Sequence, residues 1–260
     1  MLAVIESITT AVALFVGLLI AQVVGHWIGR RKHRVSGGQE KAGIGIIDGA
    51  VFALLGLLLA FTFSGAASRY EDRRDLLVAH INALETSWLR IGMLQAQHQT
   101  NLRELFPRYV DAQIAAAGAY GSSDDAKRGA AIAEIQGLQD QIWAAALAVV
   151  AEDQRPQVAS LLLPPLNESL DISSSRLAAA RFGIQEPVIW LLLCVALLAA
   201  ALAGNAQADN ERPDSLHLLV FAALISALLW FILDFDSPRA GAINLGAYDQ
   251  LMVELRERIQ

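Results

Sequence analysis

Residues 61–75 read FTFSGAASRYEDRRD, an apolar run that gives way, with no turn residue between, to six charges in the seven positions 69–75. Upstream the apolar run reaches back to Ile44. Downstream Leu76, Ile81, Leu84, Trp88 and Ile91 recur at helical spacing, and no Gly or Pro intervenes before Gly92. A helix satisfies its own backbone hydrogen bonds in lipid and in water alike, so it can pass from one to the other without breaking. The stretch therefore predicts one long helix, about 46–95, that begins inside a bilayer and ends in water.

Working outward, 55% of the 260 residues are hydrophobic and 18% are charged, against about a quarter charged in soluble domains. Four runs, 8–28, 44–67, 188–204 and 216–233, reach the roughly 17–25 apolar residues that span a bilayer. The fold class is an all-α integral membrane protein with four transmembrane helices. These helices come as two pairs, in segments 1–67 and 187–235. Between them lies a helical extramembrane domain, 68–186, and a C-terminal tail, 236–260, follows. The first run carries Glu6 and no basic residue ahead of it, so it reads as a retained helix rather than a cleaved signal.

Inside the extramembrane segment a helix is expected over about 100–117, capped by Thr100 or Asn101, with Pro107 kinking or restarting it. Ser123 or Asp124 can cap a further helix ending near Glu152. Pro156, Pro164 and Pro165 punctuate the next stretch. A last helix from about Glu168 leads to the third span, with Pro187 near its entry.

Composition also excludes several functions. A net charge of -6 does not suit a nucleic-acid binder. The single Cys194 rules out an internal disulfide. The histidines at 26, 33, 80, 98 and 217 have no metal-ligand spacing, and no phosphate loop or nucleophile motif is present. No cofactor, no metal and no enzymatic activity are expected.

What remains is a set of features on and around the second span. Arg69, Arg73 and Arg74 stand at its end, either as a headgroup belt or as cations at a pore mouth. Gly45, Gly49 and Ala53 form one stripe of small residues, and Gly56, Ala60, Ser64 and Ser68 form another. In lipid such stripes permit close backbone approach, either to the other spans or to a central axis or neighbouring subunit. Asp48 is an acid placed early in the span, either resting in the headgroup region or taking a coupling or ion-contacting role. Asp234 and Asp236 close the fourth span; two carboxylates without further ligands read as a helix stop more readily than as a metal loop.

The blocks GAVFALLGLLLAFTFSGAASRYEDRRDLLVAHINAL, ALETSWLRIGML, LRELFPRYVDAQI and FILDFDSPRAGAINL together resemble the bestrophin-like family of bacterial membrane proteins. The tail motif of that family falls on Asp234, Asp236, Pro238 and Gly241. The resemblance implies a more distant relation to bestrophins, pentameric anion channels whose second membrane helix lines an apolar neck and ends in an Arg-aromatic-x-x-x-Arg block. Arg69, Tyr70 and Arg74 match that block. Phe61, Leu57 and Ala53 fall on the three neck positions, Ala53 being smaller than a neck residue should be.

The first loop carries Arg30, Arg31, Lys32, Arg34 and Lys41 against Glu40, five positive minus one negative or +4. Positive short loops stay cytoplasmic, which would place the helical domain outside the cytoplasm; the bestrophin resemblance implies the reverse. The combined expectation is a homo-oligomer in the bacterial inner membrane, a pentamer by resemblance, passing small inorganic ions, anions by the same resemblance, along the second span. The alternative is a non-conducting scaffold or sensor whose helical domain binds a partner.

Overall fold

The computed structural model describes residues 2–36, 44–120, 124–153, 155–181, 183–208, 215–236, 243 and 245–259. Among them are eight helices: α1 (Leu2–Ser36), α2 (Ile44–Ile91), α3 (Ala96–Tyr120), α4 (Asp125–Glu152), α5 (Gln157–Arg181), α6 (Glu186–Ala206), α7 (Ser215–Asp236) and α8 (Gly246–Arg258). There is no strand among the described residues. Four of the helices, α1, α2, α6 and α7, are long and apolar enough to cross a membrane. Helix α2 is continuous for 48 residues through the apolar-to-charged border at 66–72. It ends at Ile91, four residues before the expected end, where Gly92 and Met93 form a turn.

The chain divides into two compact units. The first holds α1, the first part of α2, α6 and α7. Its core is Leu18, Leu55, Leu59 and Ala66 against Leu192, Ala196, Ala199, Ala200, Ala222, Leu229 and Ile232. In lipid no hydrophobic drive brings apolar helices together, so close packing and interhelical hydrogen bonds must hold such a unit. Helix α1 makes the closest backbone approaches, to α6 and to α7, and Gln22 Nε2 on it donates to the Leu218 carbonyl of α7 at 2.9 Å. Helix α2 leans on α7 through rings instead: Phe52 on Phe221, and Phe63 and Tyr70 on Phe235, all edge-on with centroids 5.5–5.9 Å apart.

The second unit holds the remainder of α2 with α3, α4, α5 and α8. Leu77, Ile81, Leu84 and Ile91 of α2, spaced by four, three and seven, enter a core with Leu102, Phe106, Tyr109, Ile142, Leu162, Leu166 and Leu255. Here burial from water is the main driving force, about 1.5–3 kcal/mol for each large apolar side chain. Three sequence expectations change in this unit. Helix α3 starts at Ala96 rather than near Thr100 and continues through Pro107. Helix α5 starts at Gln157 and continues through Pro164 and Pro165, because Val158, Leu162 and Leu166 on one face are buried and that packing outweighs two missing N–H donors. The tail after 245 forms α8, which buries Met252 and Leu255 and clamps Asp111 of α3 with the bidentate Arg256 at 2.7 and 3.0 Å. The Asp124 cap of α4 is present, its carboxylate accepting from the Ala126 and Lys127 amides.

Candidate functional site

Helix α2 has two unlike faces within the first unit. One, through Leu55, Leu59 and Ala66, is buried in the core. The other carries Gly49, Ala53, Leu57, Ala60, Phe61 and Ser64, all exposed. Leu57 is 52% and Phe61 68% exposed. A Cβ built on Gly45, Gly49 or Gly56 would meet nothing within 4 Å. The small-residue stripes of α2 therefore do not pack against the other spans of the same protomer. Asp48 is half-buried and, by helical spacing, lies opposite Leu57 on the inward side, away from the exposed face.

Helix α2 also exposes Ile46, Ile47 and Leu54, but it sets small residues between its bulky ones, and exposed faces elsewhere in the unit are more uniformly bulky. Helix α1 shows Ile8, Val12, Val16, Ile20 and Val23, and α7 shows Leu216, Leu219, Val220, Leu224 and Leu228. Bulky aliphatic surfaces suit contact with lipid chains. A surface of Gly, Ala and Ser is poor at filling space against lipid and good at admitting a neighbouring backbone or a narrow aqueous path.

The glycines that do pack sit on α1 and α6, and sequence reasoning missed them. A Cβ on Gly25 would lie 2.6 Å from the Ala201 carbonyl carbon, and one on Gly204 would lie 2.7 Å from that of Gln22. Gly29 faces the Ala208 Cβ at 2.5 Å and the Asn205 Oδ1 at 2.6 Å on the same terms. The signal was available: Gly25 and Gly29 are four apart within a span.

At the end of the first unit the charged block is tied down. Arg69 Nε donates to Asp236 Oδ1 at 2.9 Å, and Asp236 Oδ2 accepts from the Ile184 amide at 2.7 Å. Gly183 is needed beside this carboxylate, since a Cβ there would come within 2.6 Å of Oδ2. Asp234, 4% exposed, accepts from the Ile243 amide at 2.8 Å. The two carboxylates that end the fourth span thus act as hydrogen-bond hubs joining α2, the entry to α6 and the chain after α7. Pro238 and Gly241 of the same motif lie outside the described residues.

The other two arginines belong to the second unit. Arg73 is 7% exposed and its Nε donates to the Ala179 carbonyl of α5 at 3.0 Å. It is therefore a buried seam residue and not a charge presented to water. Arg74 pairs with its neighbour Asp75 at 2.8 Å. Glu71 and Asp72 beside them are exposed and make no ion pair among the described residues.

The second unit also hides a polar network that the sequence did not suggest. His80 on α2 is fully buried, and Arg176 of α5 donates to its Nδ1 at 2.6 Å. That bond leaves the proton on Nε2, which makes no hydrogen bond of normal geometry among the described residues. Burial first, and the Arg176 charge second, hold this histidine neutral well below its usual titration range, against a smaller opposing pull from the Ser169 backbone. Next to it Gln139 donates to the Tyr109 hydroxyl at 3.0 Å, and Gln113 to Ser173 at 2.7 Å; burial raises the Tyr109 phenol.

A model of the bestrophin-like domain matches residues 11–247. Two solved structures share the fold. One is a mutant bacterial bestrophin homologue from Klebsiella pneumoniae, at 12% identity and TM-score 0.62, covering 95% of this chain and 98% of that one. The other is a mutant of a protein described only as a membrane protein, at 13% identity and TM-score 0.63, covering 96% and 98%. No curated protein matches significantly. The family model covers nearly the whole chain and the fold agrees along its length: the chain belongs to the bestrophin-like family.

Proposed function

We propose that the protein is a homo-oligomeric membrane channel in which the exposed face of α2 lines a path for small inorganic ions, anions by analogy with bestrophins. The observation that carries this reading is the bare face itself, with Ala53, Leu57, Phe61 and Ser64 exposed in a helix whose other side is buried. Symmetry would bring copies of that face around one axis. Leu57 and Phe61 would then form an apolar constriction that blocks ions by dewetting. The setting is the bacterial inner membrane, with the helical domain outside the cytoplasm according to the charge of the first loop. In chloride-loaded liposomes the purified protein is expected to release anions, with Phe61→Ala raising the flux. A folded protein giving no more flux than empty vesicles would instead support a non-conducting scaffold.

One observation favours a second reading, passage of cations. Arg69 and Arg74 are in ion pairs and Arg73 is buried, whereas Glu71 and Asp72 are exposed close to the last small residue, Ser68. Rings of carboxylates favour cations. Reversal potentials in a KCl gradient separate the two: anion selectivity supports the first reading. Cation selectivity that falls in Glu71→Gln/Asp72→Asn supports the second.

A further inference from the structure

Helices α1 and α6 run parallel, with backbone contact at Gly25, Gly29 and Gly204 toward their C-terminal ends. Toward their N-terminal ends a cavity of about 640 Å3 separates them, lined by Ala13 and Gly17 of α1 and by Trp190, Cys194 and Leu197 of α6, with Leu229 of α7 beneath. A Cβ on Gly17 would meet nothing within 4 Å. We propose that this wedge is a binding site for one acyl chain of a membrane phospholipid.

Three observations select that occupant. The wedge lies within two bilayer-spanning helices, and its lining is apolar apart from the Thr9 and Thr10 hydroxyls and the Cys194 thiol. Apolar cavities do not hold water. A helix from a second copy, about 10 Å across and stiff, would have to match the wedge along the roughly 14 Å between Thr9 and Leu18. An unbranched, flexible chain can follow the wedge as it narrows and restores the dispersion contacts that the bare lining lacks. The proposal is independent of conduction, and its test does not read flux.

Cys194 is the only cysteine and is exposed in the wedge, so alkylation reports occupancy. Protein purified in a rigid sterol-based detergent and stripped of lipid is treated with N-ethylmaleimide, with and without added palmitoyl-oleoyl phosphatidylglycerol. The lipid should slow alkylation at least five-fold in the wild type. Gly17→Leu and Ala13→Met, which fill the wedge from the α1 side, should abolish the lipid dependence and lower the tightly held phospholipid by one per subunit. Retaining both variants covers the case in which one fails to fold. A wild-type rate indifferent to lipid, or unchanged lipid retention in a folded variant, overturns the proposal. Oxidative cross-linking of Cys194 between subunits would also overturn it, by placing a second copy in the wedge.

Discussion

Glycines occur on both sides of the first unit with opposite fates. On α1 and α6, Gly25 and Gly204 are places where any side chain would strike another helix's backbone. On α2, Gly45, Gly49 and Gly56 open onto empty space. The same residue type at the same four-residue spacing builds the protomer in one place and leaves a bare face in the other. Small residues in a span announce close approach, and only the fold reveals to what. The glycine contact of α1 with α6 concerns stability, and the bare face of α2 is the one to which we assign assembly and the proposed ion path.

The difference can be broken most directly at the glycines. Gly25→Ala or Gly204→Ala forces a methyl into backbone that cannot yield, and is expected to cost about 3 kcal/mol or to prevent folding. Gly49→Ala, with open space for the methyl, should instead stabilise the helix by up to about 1 kcal/mol. Chemical unfolding in detergent, followed by circular dichroism, measures both; equal losses at the two sites would erase the distinction.

A smaller effect is expected at the charged border. Asp236→Ala removes the acceptor for Arg69 and for the Ile184 amide. Arg69 is about a third exposed, so water screens part of that pair, and the loss should be about 2 kcal/mol. Arg73→Ala should cost about 1–2 kcal/mol through the buried Ala179 contact. Arg74→Ala, whose partner is an exposed neighbour, should leave the unfolding midpoint unchanged. An Arg74 variant as damaging as the Arg73 variant would contradict the assignment of the one to a seam and the other to the surface.

The second unit carries a pH signature through His80. Folded His80 titrates well below 6.5, so below that pH the unfolded chain binds more protons than the native one. Stability must then fall as pH drops from about 6.5 toward the lower native value, with a slope of up to about 1.4 kcal/mol per pH unit for one proton. His80→Gln should flatten that portion of the curve. An unchanged slope in the variant would assign the dependence to other groups. Asp153, held down to about 2 chiefly by its hydrogen bonds with Arg155, contributes separately, below the usual carboxylate range of about 3.9.

Much of the fold was legible because hydropathy and period report directly on environment. The unbroken α2 followed from an apolar run continuing in register into a half-buried helix. The extended α5 was not legible, because Pro164-Pro165 is a local stop signal and the packing of Leu162 and Leu166 that overrides it is long-range. In the candidate site, the resemblance named Leu57 and Phe61 as neck positions, and both are exposed on one face of α2. The partners of the arginines were not legible for a general reason: a sequence shows charge without its partner, and Asp236 lies 167 residues from Arg69. Gly25 and Gly29 carried a readable spacing that went unread, whereas the seclusion of His80 beside Arg176 had no local signature.

Cysteine accessibility along α2 tests the central claim most directly. In a Cys194→Ala background, Leu57→Cys and Leu54→Cys are reconstituted in liposomes and treated with a charged, water-soluble thiol reagent while ion flux is followed. If the bare face of α2 surrounds an aqueous path, the reagent should reduce flux by more than half in Leu57→Cys and leave Leu54→Cys, at the edge of that face, less affected. Flux that the reagent leaves untouched in Leu57→Cys, in a protein that conducts and carries the label, would contradict the account.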